Sequence, residues 1–217
     1  LWNKAKKIIP GGSQLLSKRS EQFLPEQWPS YYKKAKGVKI WDLDGNKLID
    51  MSLMGVGACI LGYADDDVNK AVKEAIDMGS MATLNCPEEI DLAELLLKLN
   101  TWADMVRYTR TGGEAMAVAV RIARSYSKKD KIAFCGYHGW HDWYLSANLA
   151  DVKNLDGQLL PGLEPNGVPR GLKGTAIPFN YNKINELEDI IAKNDIGTIA
   201  VEPVRHQKPE NDFLAKI

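Results

Sequence analysis

Between Lys131 and Val201 the chain alternates short apolar runs with amphipathic stripes. This pattern predicts buried parallel strands connected by surface helices. Lys131–Cys135 and Gly197–Val201 are strand-like. Ile184–Lys193 carries apolar residues three and four apart, the spacing of one helix face, and so do Asp66–Met78 and Glu88–Leu99, the last with Pro87 at its start. Ahead of these, residues 1 to 9 predict a short helix closed by Pro10-Gly11-Gly12. Tyr31–Lys34, Val38–Asp42 and Lys47–Asp50 predict an antiparallel meander whose last pair turns at Asp44-Gly45-Asn46. Ser52–Gly62 is small, apolar and glycine-rich, suited to a pocket-lining loop or a buried connection. Residues 1–64 therefore read as an N-terminal segment, and 65–217 as an α/β domain with a mostly parallel sheet covered on both faces.

The period changes within Met105–Arg124. Met105–Thr109 has the composition of a strand. After Thr111-Gly112-Gly113 an Ala-rich helix begins, with Arg121 and Arg124 facing outward. Thr111 and Glu114 are spaced as a capping box, each side chain taking a free N–H at the helix start. Two glycines in that first turn let a ligand approach the backbone, where free N–H groups and the helix dipole favour a phosphate. A tight strand-to-helix turn accounts for the same glycines.

Two further stretches bear on chemistry. Gly136–Trp143 places Tyr137, His138, Trp140, His141 and Trp143 directly after a strand, at the end where open α/β sheets bind ligands. These rings suit a planar ligand, or they pack a core. His138 and His141 could also begin a metal site with His206, but no acidic or thiol ligand has recognisable spacing, so no metal is expected. Glu202 ends the strand Gly197–Val201 before Pro203, where a carboxylate can orient a ligand or remain a solvated strand end. Asp42-x-Asp44-x-Asn46 resembles the start of a calcium loop, but Gly45 comes one place early and Leu53 stands where the closing glutamate belongs.

Composition narrows the partners. Lys plus Arg equals Asp plus Glu at 28 each, and 45% of the 217 residues are hydrophobic. This balance points to a globular protein acting on small molecules, with neither nucleic acid nor membrane as partner. Three widely separated cysteines fit reduced thiols, and no apolar run is long enough to span a bilayer, so a cytoplasmic location is expected. The missing initiator Met and the short apolar stripe at Asp212–Ile217 read as a fragment of a longer chain.

Taken in order, Ala35–Asn46, Ile60-Leu61-Gly62-Tyr63, Thr111-Gly112-Gly113-Glu114-Ala115, Gly136-Tyr137-His138-Gly139 and Val201-Glu202-Pro203-Val204 closely resemble the class III pyridoxal-phosphate-dependent aminotransferases, in particular their glutamate-1-semialdehyde aminomutase branch. The resemblance implies fold type I. It implies a cofactor phosphate on the N–H groups of Thr111, Gly112 and Gly113, with Tyr137 stacked on the pyridine ring, His138 beside it and Glu202 nearby. Gly113 stands where many relatives have threonine, so one hydroxyl contact is missing. The family's pyridine-pairing Asp and Schiff-base Lys lie beyond residue 217, and none of the 21 lysines matches that motif, so no catalytic residue is expected in this chain. The whole protein is then expected to be a homodimeric enzyme moving an amino group from an amino donor to a carbonyl acceptor. Trp28, Ser52–Gly57 and Trp140 are placed by position alone as substrate-facing. Two competing readings are a nucleotide-binding α/β domain, which lacks G-x-G-x-x-G, and a non-catalytic binding or assembly homologue.

Overall fold

The computed structural model describes residues 1–158, 161–204 and 207–217, and for Leu16 the backbone alone. It divides into two compact units, Leu1–Asp91 and Leu92–Ile217. Among the described residues no helix is long and apolar enough to cross a membrane.

The first unit opens with α1 (Trp2–Ile8). It continues into an antiparallel sheet of β1 (Tyr32–Lys36), β2 (Lys39–Asp42) and β3 (Lys47–Ile49) in sequential order. The predicted meander is present, with bounds shifted by one or two residues. Its turn is held by Asp42, whose Oδ1 accepts the N–H groups of Asp44 at 3.0 Å and Asn46 at 2.8 Å, while Oδ2 accepts Asn46 Nδ2 at 2.9 Å. These are bonds of an Asx turn. Helix α2 (Asp66–Met78) starts at Asp65, whose side chain caps the N–H groups of Asp67 and Val68. α3 (Glu88–Leu99) leads from the first unit into the second.

The loop at residues 52–62 is not the buried connection the composition allows, since Leu53, Ile60 and Leu61 are all exposed. Trp28 stacks on Phe23 with ring centroids 4.5 Å apart.

The second unit holds α4 (Gly112–Ser127), β4 (Lys131–Cys135), the short α5 (Asp142–Leu145), β5 (Ala176–Pro178), α6 (Ile184–Lys193), β6 (Ile196–Val201) and α7 (Phe213–Lys216). Its strands form one parallel sheet in the order β5-β4-β6. The middle strand is apolar throughout because both of its faces are covered. On one face Ile132 and Phe134 pack with Val120 of α4 and with Trp143, Tyr144 and Ala147. On the other, Ala133 and Cys135 pack with Phe179, Leu187 of α6 and Phe213 of α7. Each large side chain so buried contributes about 1.5–3 kcal/mol relative to exposure.

Two sequence expectations fail here. Residues 105–109 are not a strand. A strand needs a neighbour to take its N–H and C=O groups, and among the described residues no strand pairs with this segment. Arg124 does not face outward freely: its Nε donates to the Asp130 carbonyl at 2.8 Å, and burial lowers the pKa of its guanidinium.

Candidate active site at the ends of the parallel strands

β4, β5 and β6 end together at Cys135, Pro178 and Val201, and each backbone continues into a loop on the same side of the sheet. Two bonds carry the ladder past the strands. Glu202 N–H donates to the Cys135 carbonyl at 2.9 Å, and Phe179 N–H donates to the Phe134 carbonyl at 2.9 Å. Beyond them lies a cavity of about 260 Å³ lined by Cys135, Gly136, Gln158, Asn180, Tyr181 and Glu202, among others.

α4 begins beside these loops. Thr111 is its N-cap, with Oγ1 accepting Glu114 N–H at 3.2 Å. The Glu114 carboxylate accepts the N–H of Arg110 at 2.9 Å, one residue before the cap. Both halves of the predicted capping box are therefore engaged. The N–H groups of Gly112 and Gly113 have no intrahelical acceptor, as at the start of any α-helix. A Cβ on Gly112 would meet nothing within 4 Å, so an anion has room in front of this turn.

The aromatic loop packs its backbone against that same turn. Gly139, at φ +98°, is buried so close to the helix that a Cβ there would stand 2.9 Å from Gly113 Cα. Gly136, at φ +101°, lies against Glu202. Its N–H donates to Gln158 Oε1 at 2.6 Å. Glu202 in turn accepts Tyr137 N–H at 3.2 Å, joining the ends of β4 and β6.

The rings divide between two roles. His138 is buried, with Nε2 at 2.9 Å from the Cys135 carbonyl and its ring between Phe134 and Trp143. Tyr144 is fully buried and donates its hydroxyl to the Gly136 carbonyl at 3.2 Å. Tyr137 is half-buried, its ring meeting Tyr144 edge-on at 5.8 Å, and Trp140 is exposed. Among the described residues no group of His, Cys, Asp and Glu could hold a metal ion, and His206 lies outside them.

The structure thus brings Thr111, Gly112 and Gly113 against the loop carrying Tyr137 and His138, and ties that loop to Glu202. Sequence reasoning missed Gln158 and Tyr144. Gln158 lies in an irregular stretch with no periodicity, and Tyr144 is one more aromatic in an aromatic run.

The family model for class III aminotransferases matches residues 24–211. The chain belongs to the class III aminotransferases. Among similar members of this family is the 3-aminobutyryl-CoA aminotransferase of Cloacimonas acidaminovorans, 32% identical over all of this chain and 50% of that protein. The glutamate-1-semialdehyde 2,1-aminomutase of Archaeoglobus fulgidus is 33% identical over all of this chain and 51% of its own. A transaminase solved with pyridoxal phosphate bound superposes with a TM-score of 0.82 at 26% identity, over 99% of this chain and 50% of that one. The fold is that of the PLP-dependent transaminases, as its likeness to fold type I implied. The chain spans about half the length of the relatives it matches.

Proposed function

We propose that this chain is the part of a pyridoxal-phosphate-dependent class III aminotransferase that holds the cofactor phosphate and one side of the cofactor ring. The observation that carries this reading is the open first turn of α4. The N–H groups of Gly112 and Gly113 face open space beside the loop that Tyr137 and Glu202 shape. The residues fit the group: an anion at a helix start, a half-buried Tyr137 ring for a planar heterocycle, and two glycines where side chains would fill the cradle.

When bound, pyridoxal phosphate supplies an electron sink for the carbanion left as the α-proton of an amino substrate departs. Thr111 fixes the helix start, so that the two glycine N–H groups point at the phosphate without reorganisation. Glu202 holds the Tyr137 backbone, and with it the ring, and His138 contributes through the buried loop it anchors. The lysine that bonds the cofactor and the acid that pairs with its ring nitrogen belong to the remainder of the protein. The whole enzyme is read as a cytoplasmic homodimer that passes an amino group from an amino donor to a carbonyl acceptor. An aminomutase differs in retaining its carbonyl intermediate, and the likeness to the archaeal aminomutase supports that second reading.

The test is an absorption spectrum of the full-length protein with pyridoxal phosphate, before and after borohydride, beside the same spectra for residues 1–217. A visible band fixed by borohydride in the long protein and missing in the short one is expected. A full-length protein that shows no such band overturns the proposal. Release of a free carbonyl product during turnover separates transaminase from aminomutase.

A further inference from the structure

His141 occupies a place that neither its sequence position nor its neighbours in the core require. Unlike His138, it is only half-buried. Its Nε2 and Cε1 lie 3.5 Å from the point where a side chain on Gly113 would start. Side chains in the first turn of a helix lean toward its N-terminal end. The imidazole edge therefore sits on the side of the turn that the free N–H groups face, in space that any larger residue 113 would claim. Residue 113 is glycine and offers no donor of its own.

The position is held from three sides. The carbonyl of His141 accepts the N–H groups of Tyr144 at 2.9 Å and Leu145 at 3.1 Å, which pins its backbone at the start of α5. Trp140 stands edge-on to the ring at 5.2 Å. Two residues before His141, Gly139 rests directly on Gly113, and only a residue without a Cβ permits that approach. A loop so fixed presents its imidazole without a further ordering cost.

The geometry points to His141 as a side-chain donor to the phosphate at the start of α4, acting beside the N–H groups of Gly112 and Gly113. The inference rests on the cofactor site proposed above. It adds that the glycine at 113 and the histidine at 141 form one device: the imidazole uses the volume that the glycine leaves.

The experiment compares pyridoxal phosphate with pyridoxal, which lacks the phosphate, in equilibrium binding to the full-length protein and its His141→Ala and His141→Gln variants. His141→Ala is expected to weaken pyridoxal phosphate about tenfold, equivalent to about 1.4 kcal/mol. Pyridoxal affinity stays unchanged, and His141→Gln, which keeps an N–H donor, loses less. Equal losses for both ligands, or no loss for either, overturn the role of His141. If His141→Ala does not fold, the same comparison on His141→Gln decides, since a loss confined to the phosphorylated ligand is the only result that supports the contact. Wild-type protein that binds the two ligands equally would instead remove the phosphate site itself, an outcome distinct from failure of His141 alone.

Discussion

Glu202 accepts the backbone N–H of Tyr137 at 3.2 Å across 65 residues of sequence, while its own N–H donates to the Cys135 carbonyl at 2.9 Å. One residue thus closes both the ladder and the loop, and Gly136 lies in the gap between them.

Gly136→Ala is expected to be severe. The new Cβ would fall 2.5 Å from Glu202 Cβ and 2.8 Å from its Oε2, on a backbone at φ +101°. Left-handed strain alone costs about 1–3 kcal/mol, and the overlap adds to it. Urea denaturation measures the loss. A midpoint within error of wild type would show that the loop relaxes freely and that Glu202 does not confine it.

Thr111→Ala removes the oxygen that accepts Glu114 N–H and is expected to destabilise the helix start by about 1 kcal/mol. Thr111→Ser keeps that oxygen and should retain nearly all of the stability. Thermal melts of the two variants decide; equal losses would mean that the methyl group matters and the cap does not.

In the first unit, Tyr63 donates its hydroxyl to Asp50 Oδ2 at 2.6 Å. Burial, then this bond and the Asp50 charge, push the tyrosine up to about 12 from 10.0. The Ser52 hydroxyl, followed by that of Tyr63, holds Asp50 below its ordinary value of 3.8. The raised group stabilises fully below pH 10.0 and loses its contribution as pH rises through about 12. The lowered group contributes above pH 3.8 and loses its contribution as pH falls through its depressed value. Wild type should therefore lose stability relative to Tyr63→Phe across the alkaline window. Denaturation at stepped pH tests this, and parallel curves for the two proteins would refute it.

Cys135 is buried, and its thiol is pushed up to about 11, first by burial and then by the charges of Glu202 and Glu186. Cys86 is exposed. At pH 8 a thiol reagent should label Cys86 at once and Cys135 only after unfolding. Mass mapping of the labelled peptides checks the order, and early labelling of Cys135 would mean that the sheet opens readily.

Local pattern carried much of the second unit. β4 was legible as an apolar run too short for a helix, α6 as a stripe of residues three and four apart, and the start of α4 as a cap followed by two glycines. Each depends on neighbours within one or two turns. Met105–Thr109 failed because β composition provides side chains for a sheet but no partner for the backbone. The small strand β5 was hidden because Ala176–Pro178 is too short to show a period.

By itself the sequence determined the α/β class, the family, and the anion-binding character of the helix start, since these lie in periodicity, capping chemistry and motifs read in chain order. Only the tertiary structure decided which ring goes where. His138 and His141 stand three residues apart in one aromatic run. The first turns into the core, where it meets the Cys135 carbonyl, and the second comes to rest over Gly113. That difference arises from Gly139 lying against α4, a contact between segments 26 residues apart that no local pattern encodes.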